Sequence, residues 1–300
     1  MTATDTLLRP VAGEITPANR ASLIIHGRDR SGIVAAVTAV LSAHGGNIVS
    51  LDQYSDDPEG GHFFQRTIVH FDDMGVMPEL EKHLFSALTE DLGLEFTLRD
   101  LSTPLRVAVF ASKSDHCLLD LLWRQRRGEL PIEITMVISN HTDTQRDVEG
   151  FGIPFHHVPS QGPDKSAAEA ENLRLLRGNV DLVVLARYMQ IISEDFINEV
   201  GVPIINIHHS FLPAFIGAGP YAKAKERGVK LIGATAHYVT PDLDEGPIIE
   251  QDVVRVTHSE TVADLQRRGA DVERSVLSRA VRWHSEDRVI RFANHTIVFA

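Results

Sequence analysis

Asn206 and His208 stand two residues apart in the run Asn206-Ile207-His208-His209-Ser210-Phe211-Leu212-Pro213, at the end of a segment that reads as a β-strand. Residues two apart on a strand share a face, so the amide and the imidazole project together while Ile207 turns into the core. That pair suits acyl chemistry, because an amide can hydrogen-bond a developing oxyanion and an imidazole can move protons near neutral pH. The plainer alternative is a strand-end Asn and His that satisfy loop backbone. His209 points the opposite way and is expected to be structural. Thr235 and His237 repeat the device within Gly233-Ala234-Thr235-Ala236-His237-Tyr238, and an acidic loop follows with Asp242, Asp244 and Glu245. The loop lacks the alternating acids and distal Glu of a calcium site. A His208/His237/Asp244 metal triad is the sharper rival, since two imidazoles and a carboxylate suit a hydrolytic zinc or iron. No HExxH and no cysteine ligand support it. Ala111-Ser112-Lys113-Ser114-Asp115-His116 occupies the place of a phosphate loop but holds no glycine, so the dinucleotide and P-loop readings fail.

The elements that must carry these residues fall into two groups. After a polar tail over 1–20, residues 21–101 read as βαββαβ. Strands are expected over Ser22–His26, Asn47–Tyr54, His62–Phe71 and Glu95–Leu98. One helix carries Ile33, Val37, Leu41 and His44, and another, opened by Pro78, carries Leu80, Leu84, Leu88 and Leu92. That is an antiparallel sheet with two helices on one face. Residues 104–300 alternate differently. Strands at Arg106–Phe110, Ile132–Ser139, Asp181–Ala186 and Pro203–His208 are separated by helices at Cys117–Arg127, Ser166–Leu176 and Ser193–Glu199. This is a doubly wound, mostly parallel α/β sheet whose ligands belong at the carboxyl ends of the strands. Strands at Ala234–Val239 and Ile248–Val256 and a long amphipathic helix over Thr261–His284 complete it.

Composition narrows the partners. The 300 residues carry a net charge of -12, with 7 Lys and Arg against 15 Asp and Glu in residues 1–103, which suits neither a nucleic-acid groove nor a membrane surface. A single cysteine, Cys117, excludes an internal disulfide and fits a reducing compartment. No secretory signal and no run of about 18 apolar residues is visible, so a cytoplasmic location is expected. Most of the fifteen histidines need no chemical role.

The later group of elements resembles the formyltransferases that use formyltetrahydrofolate. The matching string is Asn206-Ile-His208-x-Ser210-x-Leu212-Pro213-x-Phe215-x-Gly217, then Gly233-x-Thr235-x-His237, then Asp244-x-Gly246-Pro247-Ile248-Ile249. The resemblance implies a catalytic trio of Asn206, His208 and Asp244, with support from His237 and Thr235. It also implies a folate-binding segment at Arg187, Met189, Gln190, Ile191 and Ile192, completed by Thr240 and Asp242. The earlier group resembles an ACT domain, whose Asp-Arg-Pro-Gly turn is Asp29-Arg30-Ser31-Gly32 here. By that resemblance Asp29, Ser31, Gly32, Asn47 and Ile48 would receive an amino-acid effector such as glycine or methionine, and the chain would form a homo-oligomer.

Together the two resemble the formyltetrahydrofolate deformylase family over nearly the whole chain. Glycinamide ribonucleotide transformylases resemble the second unit but carry a Gly-Asn-Gly-Ser-like loop where this chain has Ser112-Lys113-Ser114-Asp115. Without that acceptor site, water is the expected nucleophile. The expected reaction is hydrolysis of 10-formyltetrahydrofolate to tetrahydrofolate and formate, with no metal and no cofactor. The alternatives are formyl transfer to a small amine and a non-catalytic folate or amino-acid sensor.

Overall fold

The computed structural model describes residues 19–160, 165–214 and 219–300. Most of the tail over 1–20 therefore lies outside the described residues. The first sheet has the strands β1 (Arg20–Arg28), β2 (Asn47–Ser55), β3 (His62–His70) and β4 (Glu95–Asp100), all antiparallel neighbours in the order β2-β3-β1-β4. Helix α1 (Ile33–Ala43) lays Ile33, Val37 and Leu41 on one face of this sheet. Helix α2 (Met77–Leu84), with Pro78 in its first turn, adds Leu80 and Leu84 and runs on into a π-turn over Phe85–Glu90. This is the βαββαβ arrangement that the alternation of elements implies.

The second sheet begins with β5 (Leu105–Ala111), α3 (His116–Arg126), β6 (Ile132–Ser139), α4 (Gln145–Gly150) and β7 (Phe155–His157). It continues with α5 (Ser166–Leu176), β8 (Leu182–Ala186), α6 (Glu194–Val200), β9 (Ile204–His208) and α7 (Pro220–Arg227). It closes with β10 (Leu231–Tyr238), β11 (Ile248–Arg255) and α8 (Val262–Ser285). Strand order is β11-β10-β9-β8-β5-β6-β7, with β5 to β9 parallel and β10 running against both its neighbours. All five residues of β8 are buried, as an inner parallel strand requires. The chain order reverses between β5 and β8, so the crevice at a topological switch point opens where these strands end. Cys117, Leu121 and Leu122 of α3 meet Val276, Leu277 and Val281 of α8 on one face, while Leu176 of α5 and Phe196 of α6 cover the other with Phe110 and Val183.

The short elements α4, β7 and α7 carry little sequence signal. Helix α7 buries only Pro220, Tyr221 and Ala224, too few for a readable stripe, and is bounded by Gly219 and Gly228 at positive φ. A two-stranded hairpin, β12 (Val289–Phe292) and β13 (His295–Val298), follows α8 and lacks the Asn-Gly or Asp-Gly turn that announces one.

The two sheets meet at the carboxyl end of α8. Arg66 on β3 donates from Nε and Nη2 to the Glu286 carbonyl at 3.2 and 3.0 Å. Arg99 on β4 donates to the Ser285 carbonyl at 2.6 Å and pairs with Asp287 at 2.8 Å. Carbonyls at the end of a helix lack intrahelical partners and carry partial negative charge, so two guanidinium groups are well matched to them. Burial pushes the Arg66 pKa down, but not far enough to discharge a guanidinium. Arg66→Ala should cost about 1.5–3 kcal/mol, the range for a hydrogen bond to a charged group. A chemical denaturation midpoint equal to wild type would show that the α8 end does not need this cap.

Candidate active site

Strand pairing assembles the site. In the antiparallel ladder between β9 and β10, Asn206 stands opposite His237 and His208 stands opposite Thr235. All four side chains therefore lie on one face, which two separate sequence motifs could each show only in part. The Asn206 amide Nδ2 donates to His237 Nε2 at 3.1 Å, and His237 Nδ1 donates to the Tyr238 carbonyl at 2.9 Å. In the neutral imidazole these two contacts place the proton on Nδ1. Thr235 is spent differently. Its hydroxyl donates to the Ser210 carbonyl at 2.9 Å and accepts from Leu212 N–H at 3.0 Å and from Gln251 Nε2 at 2.9 Å. Thr235 and Gln251 thus fix the segment that leaves β9. Sequence reasoning missed Gln251, whose only signal is its place opposite Thr235 on β11.

Asp244 reaches this face from the loop between β10 and β11. One carboxylate oxygen accepts from His208 Nδ1 at 3.2 Å, and the other lies 3.7 Å from His237 Nε2. The hydrogen bond from His208 holds the Asp244 carboxyl well below the usual carboxylate range, against the opposing effect of burial. With Nδ1 directed at Asp244, the Nε2 of His208 is buried with no hydrogen-bond partner among the described residues. It is the atom left to meet a substrate. Asp244 itself sits at φ 59°, a conformation Asp tolerates better than most residues. Gly246 is required two residues on, because a Cβ there would stand 1.8 Å from the Tyr238 carbonyl oxygen. Asn206, His208, Asp244 and His237 are thus brought together. Phe215 and Gly217 of the same motif lie outside the described residues.

His209 turns away, as expected. Its ring lies 6.1 Å from that of Tyr221, and burial, helped by the nearby Arg187 charge, lowers its pKa to about 4, leaving it neutral. Tyr221 leads into a buried cluster that sequence reasoning missed. Glu273, 2% exposed on the core face of α8, accepts from Tyr221 Oη at 2.6 Å and His116 Nε2 at 2.8 Å, and pairs with Arg187 Nε at 3.4 Å. A carboxylate in the apolar stripe of an amphipathic helix was the available signal. Gly269, one turn earlier, leaves room for the Tyr221 hydroxyl, which a Cβ would approach to 1.9 Å. His116, Cys117 and Glu273 form the only trio of metal-ligating types within mutual reach among the described residues. Arg187 already balances that carboxylate, and burial pushes the Cys117 thiol up, away from the thiolate a metal needs. His208, His237 and Asp244 are not such a trio.

The segment after β8 divides by side. Arg187, at φ 63°, turns its guanidinium to Glu273, while Tyr188 and Ile192 pack into the core. Met189 and Ile191 are 58% and 62% exposed. Gln190, Ile191 and Ile192 line a groove with Phe110, Tyr188 and α5. Thr240 and Asp242 belong to one turn, the Thr240 hydroxyl donating to the Asp242 carbonyl at 3.2 Å. The effector residues are not brought together within one chain. Asp29 meets Ser55 and Gly61, with Ser31 and Gly32 following in the same turn, whereas Asn47, followed by Ile48, pairs with His70 at the far end of the sheet, roughly 25 Å along the strands.

With this geometry in view, comparison with known proteins is direct. A family model for formyl transferases matches residues 105–281 and one for the ACT domain matches residues 21–85. A formyltetrahydrofolate deformylase of Mycobacterium tuberculosis is 58% identical over 278 residues, covering 92% of this chain and 90% of that protein. The chain belongs to the formyltetrahydrofolate deformylases. The crystal structure of the Pseudomonas syringae deformylase superposes with a TM-score of 0.88 at 45% identity, covering 94% of both chains. The glycinamide ribonucleotide transformylase of Symbiobacterium toebii, 33% identical with a TM-score of 0.62, covers 66% of this chain and 95% of its own. The deformylase likeness thus takes in both sheets, whereas the transformylase matches a smaller share of the chain.

The contacts of His237 make a spectroscopic prediction. Nitrogen-15 shifts should report the Nδ1–H tautomer at neutral pH. A proton on Nε2 of the neutral ring would contradict the Asn206 contact.

Proposed function

We propose that this chain hydrolyses 10-formyltetrahydrofolate to tetrahydrofolate and formate, supplying formate for purine biosynthesis and balancing the one-carbon folate pool. One observation carries the catalytic reading: Asp244, held ionised, aligns His208 through Nδ1 and leaves its buried Nε2 without a partner. In this reading Nε2 takes a proton from the attacking water as its oxygen bonds to the formyl carbon. The new oxyanion accepts a hydrogen bond from the second N–H of the Asn206 amide, whose first is given to His237. When the bond from carbon to N10 breaks, the imidazolium returns its proton to N10, and the carbon leaves as formic acid, which gives up its remaining acidic proton to solvent and becomes formate. Asp244 stabilises the imidazolium between these transfers, so one proton is relayed and no metal or cofactor is used. The pterin is proposed to lie along Met189, Gln190, Ile191 and Ile192, with Arg187 contributing backbone and Thr240 and Asp242 closing the far side.

The glycine-free turn Ser112-Lys113-Ser114-Asp115 favours water over a phosphorylated acceptor, because its carboxylate repels phosphate and its side chains keep backbone N–H groups away. Purified chain given 10-formyltetrahydrofolate alone, with chelator present, should release formate. No formate without an added amine would assign the chain to formyl transfer. Asn206→Ala should lower kcat by about 10²–10³-fold, as loss of one oxyanion donor does elsewhere, with a small change in KM. Turnover within a few-fold of wild type would remove the oxyanion role.

We also propose that the first sheet binds an amino-acid effector such as glycine or methionine, and that two copies of the chain complete the site. Two observations support this: the separation of Asp29 from Asn47 within one chain, and the edge strand β2, which leaves Val49 and Tyr54 each 47% exposed. Titration with each amino acid should change the rate of formate release, and Asp29→Ala should weaken the response. A flat titration with both, and no thermal shift, would exclude them as effectors.

A further inference from the structure

The hairpin β12–β13 touches both halves of the molecule, reaching the first sheet on one side and the segments that flank His237 and Asp244 on the other. On one side, the Phe292 ring packs against His62 and Phe64 of the first sheet, with centroids 4.3 and 5.2 Å apart. On the other, Asn294 Nδ2 donates to the Glu245 carbonyl at 3.1 Å, and the Thr296 hydroxyl donates to the Ile248 carbonyl at 2.6 Å. The guanidinium of Arg291 lies over the Tyr238 ring at 4.9 Å. Tyr238 is the residue whose carbonyl fixes His237, and Glu245 directly follows Asp244.

The loop has reason to need such a hold. Asp244 stays at positive φ only while neighbouring contacts offset the cost of that conformation. Gly246 is pressed against the Tyr238 carbonyl from the strand side. The hairpin supplies the opposing contacts at Glu245 and Ile248, so the chain just after Asp244 is held from two directions. Ala293, at the hairpin tip, also has positive φ, so the turn that presents Asn294 is itself held in a restricted shape.

The contacts continue into the first sheet. His62 N–H donates to Asp56 Oδ1 at 2.6 Å, Ser55 donates its hydroxyl to Asp29 Oδ2, and Asp29 N–H donates to the Gly61 carbonyl at 2.8 Å. The Asp29 turn, the β2–β3 turn, His62, Phe292 and Asn294 therefore form an unbroken series of contacts ending beside Asp244.

We propose that the β12–β13 hairpin is a strap that positions the Asp244 loop, with Asn294 as the positioning residue and Phe292 as its anchor on the first sheet. Asn294 touches no reacting atom and acts through the Glu245 carbonyl. The kinetic part of the test rests on the hydrolytic reading above, and the exchange part does not.

Hydrogen–deuterium exchange over residues 239–247 and formate release are measured on the full chain. Asn294→Asp keeps size and loses the donor, so it should raise exchange in that segment and lower kcat about three- to tenfold, the span of one modest hydrogen bond. Asn294→Gln should recover part of both. His62→Ala, on the first sheet and far from the chemistry, should raise exchange in the same segment. Wild-type exchange and kcat in Asn294→Asp would overturn the positioning role, and unchanged exchange in His62→Ala would overturn the anchor. If the wild-type chain releases no formate, the hydrolytic reading fails while the exchange results still decide the strap.

Discussion

The reversal of β10 against β9 is the constraint on which the site depends. A parallel strand there would need a long crossover and would not set His237 opposite Asn206. Because β10 runs back beside β9, it ends where the Asp244 loop can fold over both imidazoles. The same pairing gives His237 its tautomer, since the Tyr238 carbonyl and the Asn206 amide bracket the ring from either side. One hydrogen-bonding register thus sets the position of four side chains and the proton on one of them. A slip of β10 by a single residue would turn Thr235 and His237 to the opposite face, away from Asn206 and His208.

Charge in the interior is handled by local matching. Glu273 would be costly at 2% exposure if it stood alone, and Tyr221, His116 and Arg187 converge on it from three separate elements. The cluster therefore joins α3, α7, α8 and the end of β8 around one carboxylate. It also draws the Arg187 side chain inward, which leaves Met189 and Ile191 as the outward apolar groups of their segment.

Much of this was legible in the sequence, for identifiable reasons. The runs over β5, β6, β8 and β9 are apolar enough to mark buried strands, and the spacing of Ile33, Val37 and Leu41 marks a helix face directly. Asn206 with His208 and Thr235 with His237 follow from strand alternation, but their cross-strand partners do not, because register is a tertiary property. Glu273 was lost inside an amphipathic pattern that treats any charged residue as solvent-facing. Gln251 has no motif at all. The β12–β13 hairpin was missed because its strands are four residues long and its turn is Ala293-Asn294, a pair without the usual glycine. Asp29 and Asn47 lie apart within one chain for a geometric reason: β1 and β2 both run against β3 and so parallel to each other, with Asn47 at the start of β2 and Asp29 just past the end of β1.

The arginines at the end of α8 bear on how such a molecule could be divided. A helix of 24 residues begins with its own capping box, Thr261 with Asp264, and finishes on side chains borrowed from another sheet. Its start is self-sufficient and its finish is not. Cutting the chain between the two sheets would leave the Ser285 and Glu286 carbonyls without these partners, so the catalytic half is not a ready-made module. A graft of the second sheet onto another protein would have to carry a new ending for this helix along with it.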